Sequence, residues 1–432
     1  MYKSQGSKNV FEKYLGRDPD WELHHHLAHA LTAWCYRKNE LEKLFLCYDG
    51  AGKDAFHHMK CYLVGKIGPN GFSQIPDATP IPSSVPVVGL LGPDSAGKSM
   101  GMAGYMPKRN WTADHTMQLI KYSLNDRYEA NFPYVGTSGQ EGLTEDKMQF
   151  VADFYRYYTN HIWNAVEDNI KKFDLGNGVV IGGGTTLGLE INTKIHQLTG
   201  DVTFAPPTDD SGLAIGCAAF GFFHHHKKWI KLDTPSLNEL QEDLPALGPQ
   251  TPEEIAKLIA EDHVVGLLRG KAEAGPRALG FRSLLASARL ENLKRVSQDI
   301  KGREFYRPLA PIVTAESFDR FFVGPKGEYM QFLAECTEEA QKLLPAVVHK
   351  DNTARPQVIF KEKDPWLHRL LTAYGELSGV ECMINTSLNK RKRAICNTLH
   401  DAQRDMQGKD VTLVSLPHER WKLRESRPTR FL

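Results

Sequence analysis

Apolar and polar positions follow two different periods along the chain. Leu27, Leu31, Trp34 and Cys35 recur every three or four residues, which predicts an amphipathic helix, and aromatic and charged residues show similar spacing over 144–174. Short continuous apolar runs predict buried strands at KLFLCY, VPVVGLLG, VVIG and HVVGLLRG. Helices that alternate with buried strands indicate an α/β fold.

A change in composition suggests where two domains meet. Residues 232–254 are rich in Pro, Leu and acidic residues, which is typical of a linker. Thr251 and Pro252 suit the N-cap and first position of the next helix, and Glu254 completes a capping box. We predict an N-terminal domain over 1–235, a linker over 236–254 and a C-terminal domain over 255–432.

Composition narrows the class of protein. The 432 residues include 53 Lys and Arg against 52 Asp and Glu, which excludes a polyanion binder that acts through its overall charge. Seven cysteines stand singly without a CxxC pair, which favours a reducing compartment. The chain shows neither a signal sequence nor an apolar run of about 18–20 residues, so we expect a cytoplasmic protein without a membrane segment.

Two segments contain candidate metal ligands. In HHHLAHA, His25 and His29 are four residues apart and share one helix face, which is a common metal platform; solvated histidines at a helix start are the alternative. In PPTDDSGLAIGCA, Asp210 stands at a helix start, where it would either cap the helix or bind a metal.

Glycine-rich turns follow two of the predicted strands. DGAG places Asp49, Gly50 and Gly52 where backbone amides could approach a phosphate, although the same letters also form ordinary hairpins. GGG at 182–184 would let a flat adenine or ribose lie against the backbone.

GPDSAGKS at 92–99 satisfies the pattern of a P-loop. A P-loop must open a helix, however, and Gly101, Gly104 and Pro107 make a stable helix here unfavourable. We therefore expect no helix at this position and regard the P-loop pattern as coincidental.

Basic side chains recur in Gly- and Pro-flanked loops of the C-terminal half. Such a set suits a small anion because guanidinium groups bind phosphate through two parallel hydrogen bonds; surface ion pairs are the alternative. The candidates, with two asparagines that follow a predicted strand, are Arg277, Arg282, Lys301, Arg303, Arg307, Arg355, Asn385 and Asn389.

Taken in order, these segments resemble the O-carbamoyltransferase family, which includes nodulation-protein, cephalosporin and aminoglycoside carbamoyltransferases. The matching segments run from about residue 24 to 415: HHLAHA, DGAG, GKSMGMAGY, GGGTTLG, DDSGLAIGCA, GPRALGFRSLL, REFYRPLAP, NTARPQ and NTSLN. The resemblance implies an α/β chain. Its N-terminal domain would be actin/Hsp70-like, as in tRNA threonylcarbamoyl transferases. Its C-terminal domain would resemble threonylcarbamoyl-adenylate synthase.

The same resemblance implies an activity and a set of site residues. Family members use carbamoyl phosphate and ATP, form carbamoyl adenylate and pass the carbamoyl group to a hydroxyl. His25, His29 and Asp210 would bind a divalent metal; this donor set suits Fe(II), with Mn, Zn or Mg as alternatives. DGAG would hold phosphate and GGG the adenosine. The ligands of carbamoyl phosphate or the adenylate would be Arg277, Lys301, Arg307, Arg355 and Asn385, with Arg282 and Asn389 beside them.

The reaction also needs residues that stabilise negative charge and a residue that accepts a proton. Lys301 and Arg307 would stabilise the negative charge that develops on the phosphate. The acceptor alcohol needs a general base, and we predict His26, whose ring lies near the metal ligands on another helix face.

The sequence departs from the family at two places. The strand-turn-strand phosphate loop near the start of family members has no counterpart, so we expect an incomplete actin-like domain. A second chain or a homodimer would supply the missing strands, or the chain would act as a single-chain minimal version, since adenylation would occur in the C-terminal domain. A basic run, with a basic tail over 420–430, occupies the position of the family's Gly-Glu-Pro. It suggests DNA or a nucleotide as a partner, such as a hydroxymethylated base; a solvated surface is the alternative. The run consists of Lys390, Arg391, Lys392 and Arg393.

Three functions are therefore considered. The first is an ATP-dependent O-carbamoyltransferase acting on a small polar metabolite, a sugar or a hydroxymethylated nucleobase. The second is a nucleotide-binding subunit that needs a partner chain, and the third is a P-loop phosphotransferase.

Overall fold

The computed structural model describes residues 23–53, 59–83, 96–109, 144–238 and 244–417. Two compact units are present: an N-terminal unit, Met1–Pro86 with Tyr158–Asp233, and a C-terminal unit, Val87–Tyr157 with Thr234–Leu432. The sequence analysis placed a single division near residue 235. The structure differs in assigning 96–109 and 144–157 to the C-terminal unit, so that a second boundary falls inside a long helix.

The described elements up to residue 238 are helices and strands in mixed order. They are α1 (His25–Trp34), β1 (Lys43–Lys53), β2 (Met59–Gly68), β3 (Gly71–Gln74), α2 (Ala96–Tyr105), α3 (Glu145–Phe173), β4 (Val179–Gly182), α4 (Leu189–Thr199), β5 (Val202–Phe204), α5 (Leu213–His226) and β6 (Ser236–Asn238). The helix expected over 144–174 and the strands expected at KLFLCY and VVIG are thus confirmed. The strand expected over 85–92 lies outside the described residues.

The N-terminal unit contains a five-stranded sheet in the order β3-β2-β1-β4-β5. β2 runs antiparallel to its neighbours, whereas β4 and β5 run parallel to β1. The central strands are fully buried over 44–48 and 179–181, as expected of apolar runs covered on both faces. The parallel pairing of β1 with β4 ends at Cys47 and Gly182, so Asp49, further along β1, and Gly183, directly after β4, lie at the same edge of the sheet.

Shorter elements fill the C-terminal unit. They are α6 (Pro252–Ala260), β7 (Val265–Arg269), β8 (Ala272–Glu273), β9 (Arg282–Ser287), α7 (Leu290–Lys294), β10 (Ala310–Thr314), α8 (Phe318–Phe321), β11 (Phe322–Val323), β12 (Ala334–Cys336), α9 (Glu338–Leu343), β13 (Thr353–Ala354), β14 (Gln357–Ile359), α10 (Pro365–Ser378), β15 (Cys382–Ser387), α11 (Leu399–Met406) and β16 (Thr412–Leu416). The strand expected at HVVGLLRG is β7.

A six-stranded mixed sheet organises this unit, in the order β14-β10-β15-β9-β7-β16. Apolar side chains of α6 and α10, including Ile255, Leu367 and Leu371, pack on one face, and a cluster around Phe318 and Phe321 forms a second core. The mixed α/β class predicted for the chain is confirmed.

The start of α6 matches the sequence prediction. The Thr251 side chain accepts from the Glu254 amide and the Glu254 side chain accepts from the Thr251 amide, which completes the capping box. Part of the predicted linker is more ordered than expected, because Ser236–Asn238 forms β6 and pairs with β8.

The prediction that no helix follows GPDSAGKS is wrong, because α2 spans Ala96–Tyr105. Its glycines permit close packing: a Cβ at Gly104 would lie 2.3 Å from His349 Nδ1, and one at Gly101 would lie 3.5 Å from Tyr306. Tertiary contact therefore outweighs weak helix propensity. Among the helices of the described ranges, none is long and apolar enough for a membrane crossing.

Candidate active site

The predicted metal ligands converge in the N-terminal unit. His25 and His29 lie one turn apart on α1, with their Nε2 atoms 3.2 Å from each other. Asp210 Oδ1 lies 3.5 Å and 3.3 Å from these two atoms. Asp49, which the sequence analysis placed in a phosphate loop, contributes Oδ2 at 3.1 Å from both. The four ligand atoms lie within 4.8 Å of one another.

Close packing between α1 and α5 brings Asp210 to the histidines. The Thr32 hydroxyl bonds the carbonyls of Ala28 and Gly212, and a Cβ at Gly216 would lie only 2.0 Å from the Ala28 carbonyl oxygen. Asp209 caps the short turn by accepting from the Ser211 amide. Of the two acidic residues, Asp209 therefore caps the helical turn, and Asp210 faces the histidines.

The donor set of this cluster fits a divalent cation. Burial would raise the pKa of Asp49, but hydrogen bonds from His25, His29 and the Gly50 amide hold it well below its usual range. The hydrogen bond to Asp49 raises the pKa of His25. Two imidazole nitrogens that face each other and two carboxylates need a proton or a cation between them, and N and O donors of this kind suit Fe, Mn or Zn.

The GGG segment lies against this cluster. The Gly184 amide donates to Asp49 Oδ1 at 3.1 Å. Gly183 has φ +96°, and a Cβ there would lie 2.3 Å from the Tyr48 carbonyl oxygen. The glycines are therefore required by close approach to β1, and Asp49 links the histidines to this turn.

The structure gives no support to His26 as a general base. Its side chain is fully buried, and neither ring nitrogen has a hydrogen-bond partner among the described residues. Burial, with His25 and His24 nearby, lowers the pKa of His26 to about 3. The ring is therefore packed inside the unit and is not exposed at its surface.

A group of cations forms in the C-terminal unit. Burial, then Arg307 and Arg277, lowers the pKa of Arg303 to about 9. Burial, then Arg277, Arg303 and Arg307, lowers that of Arg355 well below its ordinary value. Guanidinium groups that disfavour one another's charge lie close together, and an anion between them would relieve the repulsion. We call Arg277, Arg303, Arg307 and Arg355 the arginine cluster.

Lys301 organises the loop beside this cluster. Its Nζ donates to the side chain and carbonyl of Asn389, the latter at 2.8 Å, and to the carbonyl and hydroxyl of Ser387. Burial, with Arg303 nearby, lowers the pKa of Lys301. The predicted residues Lys301 and Asn389 thus bind each other.

Two predicted ligands have other roles. All the guanidinium nitrogens of Arg282 donate to backbone carbonyls, those of Asn397, Arg269, Phe281 and Gly270, and the side chain is fully buried. Arg282 is therefore a structural cross-link rather than a substrate ligand. Asn385 is also buried, and its amide nitrogen donates to the Ala278 carbonyl and to Gln357, which fixes the turn after Arg277.

Comparisons with known proteins identify the C-terminal unit. Residues 256–420 match the family model described as "Carbamoyltransferase C-terminus", a range that contains the whole arginine cluster. The chain is 35% identical to nodulation protein U of Rhizobium tropici over 224 residues. This range therefore resembles the C-terminal part of carbamoyltransferases. The predicted family resemblance is thereby confirmed.

The matches to these relatives are partial. The alignment to nodulation protein U covers 49% of this chain and 38% of the relative. Nodulation protein NolO of Bradyrhizobium diazoefficiens is 29% identical over 253 residues, with 51% and 45% covered. The chain thus spans less than half the length of these two relatives.

Two solved structures also resemble the chain. Full-length HypF in a phosphate- and nucleotide-bound form has 16% identity and a TM-score of 0.28, and the match covers 51% of this chain and 45% of HypF. A variant of P. abyssi Sua5 has the same identity and TM-score, covering 38% and 45%.

The sequence analysis gave incomplete roles to several residues near the arginine cluster. Arg303 belongs to the arginine cluster, and Glu304, its neighbour, is a buried acid that lies 3.5 Å from Arg307 and 3.5 Å from Lys98. The signal was available in KGREFYRP, where an acid stands between three basic residues. The Lys98 contact also explains the lysine of the P-loop pattern as an ion-pair partner.

The basic run is largely engaged within the protein. Arg391 bonds the Gly302 carbonyl and Glu304, and Arg393 bonds Asp405. Two of its four cations therefore have internal partners, which weakens the case for a free nucleic-acid surface. The basic tail lies outside the described residues.

Proposed function

We propose that this chain transfers a carbamoyl group from carbamoyl phosphate, through carbamoyl adenylate, to an acceptor hydroxyl with consumption of ATP. The observation that supports this most directly is the arginine cluster, which lies inside the range matched by the carbamoyltransferase family model. An anion beside these guanidinium groups would relieve their mutual repulsion, and carbamoyl phosphate is a small anion.

The side chains of the arginine cluster would serve both binding and catalysis. Arg277, Arg307 and Arg355 would bind the phosphate through paired N–H groups, which orients the carbamoyl group. Water would first hydrolyse carbamoyl phosphate to carbamate and inorganic phosphate, and a carbamate oxygen would then attack the α-phosphate of ATP and displace pyrophosphate. The same preorganised cations would stabilise the negative charge that grows during this attack. The acceptor alcohol then attacks the carbamoyl carbon of the adenylate, and AMP leaves.

His25, His29, Asp49 and Asp210 would hold a divalent metal in the N-terminal unit. When bound, such an ion supplies Lewis acidity toward a carbonyl or phosphoryl oxygen. Asp49 would keep the adjacent GGG turn in place through the Gly184 amide, whichever ion occupies the cluster.

Release of pyrophosphate provides the decisive test. The purified chain, with MgATP, should release pyrophosphate only when carbamoyl phosphate is present. Arg307→Gln should abolish that release, whereas Arg369→Gln, at an exposed arginine paired with Glu253 and Glu376, should not. Release without carbamoyl phosphate, or none with it, would overturn the proposal.

The acceptor is identified separately. Candidate sugars, small polar alcohols and oligonucleotides containing hydroxymethylated bases would be incubated with the chain, ATP and carbamoyl phosphate. Mass spectrometry should detect the gain of one carbamoyl group in the true acceptor class.

A further inference from the structure

The basic run forms a rigid turn. The Arg393 amide bonds the Lys390 carbonyl at 3.1 Å, and Lys392 has φ +62°. Asp405 of α11 accepts from the Lys390 amide at 3.2 Å and from Arg393 at 3.1 Å. Asp405 is itself buried, so the turn is anchored to the core of the C-terminal unit.

From this turn, Arg391 reaches the segment that bears two members of the arginine cluster. One nitrogen donates to the Gly302 carbonyl at 3.1 Å and another to Glu304 Oε1 at 2.8 Å. Gly302 immediately precedes Arg303, and Glu304 follows it. The Arg391 guanidinium group therefore donates to a backbone carbonyl and to a side chain of the same short segment, 302–304.

Glu304 connects this contact to Arg307. Its Oε1 bonds Arg391 and lies 3.5 Å from Lys98, while its Oε2 lies 3.5 Å from Arg307. Burial favours the neutral acid, but the Glu304 amide and the cations Arg307, Lys98 and Arg391 keep its pKa below the ordinary value. When a buried carboxylate loses one cationic partner, it interacts more strongly with the cations that remain, because its charge is otherwise uncompensated.

Removal of Arg391 would leave Lys98 and Arg307 as the ion-pair partners of Glu304. Arg307 would then be pulled toward the carboxylate, and its fork would be less available to an external anion. The Gly302 carbonyl would also lose its donor, which loosens the backbone next to Arg303.

We propose that Arg391 is a positioning residue for the anion site: it neutralises Glu304 and fixes residues 302–304, so that Arg303 and Arg307 face the bound phosphate. The inference rests on the proposed function, in which the arginine cluster binds carbamoyl phosphate. It assigns the basic run an internal task instead of a nucleic-acid surface.

Isothermal titration with carbamoyl phosphate and with inorganic phosphate tests this role. Arg391→Gln should weaken both affinities about 10-fold or more. Lys392→Gln is the matched control, because it removes the same charge from the adjacent, exposed residue; it should change affinity less than twofold. Arg391→Lys retains the charge without the fork and should give an intermediate loss.

Steady-state kinetics provides a second readout. The KM for carbamoyl phosphate should rise in Arg391→Gln, while the KM for ATP stays unchanged, since general unfolding would affect both. If Arg391→Gln does not fold, the affinities of Arg391→Lys and Lys392→Gln for carbamoyl phosphate are compared instead. Weaker binding by Arg391→Lys supports the positioning role, and equal binding overturns it.

The outcomes separate the two proposals. Absence of carbamoyl phosphate binding to the unaltered chain would overturn the proposed function. Binding that is equally strong in Arg391→Gln and the unaltered chain, or equally weakened in Arg391→Gln and Lys392→Gln, would overturn the positioning role alone.

Discussion

Arg282 and Arg307 occupy similar Gly- or Pro-flanked segments, yet their guanidinium groups have opposite surroundings. Arg282 donates only to backbone carbonyls and is fully buried. Arg307 keeps 31% of its side chain exposed beside the other arginines. The two substitutions should therefore separate stability from binding.

Arg282→Met should lower the free energy of unfolding by about 3 kcal/mol or more, because several buried carbonyls lose their donor. Arg307→Gln should cost less, about 1 kcal/mol, because Glu304 keeps Lys98 and Arg391 as partners, while weakening carbamoyl phosphate binding at least 10-fold. Urea denaturation and isothermal titration measure the two effects. If folded Arg282→Met lost as much carbamoyl phosphate affinity as Arg307→Gln, Arg282 would be a ligand of the anion after all.

The charge of Glu304 should appear in the pH dependence of stability. Its pKa in the folded protein is below the ordinary 4.5, so its contribution is present above pH 4.5 and is lost as pH falls through the lower folded value. Glu304→Gln should therefore be less stable than the unaltered chain at pH 7. The difference should shrink progressively below pH 4.5, as followed by urea denaturation at each pH. A difference that is independent of pH would show that shape, rather than charge, is what Glu304 provides.

At the scale of elements, the metal ligands depend on how closely α1 and α5 cross. A Cβ at Gly216 would meet the Ala28 carbonyl at 2.0 Å, whereas nothing lies within 4 Å of one at Gly221 in the same helix. The two glycines form a matched pair, with one at the helix contact and the other facing open space.

Gly216→Ala should separate the helices, cost about 1–3 kcal/mol of stability and weaken metal binding, since Asp210 moves away from His25 and His29. Gly221→Ala should be neutral or stabilise the helix by up to about 1 kcal/mol without affecting the metal. Thermal unfolding with titration of Mn²⁺ or Zn²⁺ distinguishes them. Unaltered metal affinity in Gly216→Ala would show that the ligands do not depend on this crossing.

Local signals in the sequence were sufficient for some elements and insufficient for others. The capping box of α6 and the apolar strands β1, β4 and β7 are determined by neighbouring residues, and all were predicted. Helix α2 was missed because Gly101 and Gly104 lower local propensity, while the packing on Tyr306 and His349 that offsets this comes from residues far away in sequence. Likewise, the roles of Arg282 and Asn385 depend on which distant carbonyls fold beside them.

At the scale of the whole molecule, each unit contains one group of candidate functional residues. The His/Asp cluster belongs to the N-terminal unit and the arginine cluster to the C-terminal unit, and the family model covers only the latter. The order of HHLAHA, DDSG, GPRAL and REFYRP along the chain indicated this division. The link from Asp49 to Gly184 could not be predicted, since it depends on the parallel pairing of β1 with β4.

Because the two groups belong to different units, metal and anion binding should be separable. Treatment with a chelator, followed by its removal, should leave the affinity for carbamoyl phosphate within about twofold of the untreated value, as measured by isothermal titration. His29→Ala should behave in the same way, because His29 contacts the carboxylates of its own unit and none of the arginines. Conversely, Arg307→Gln should bind Mn²⁺ or Zn²⁺ as tightly as the unaltered chain. A large loss of anion affinity on metal removal would contradict this separation of metal binding from anion binding.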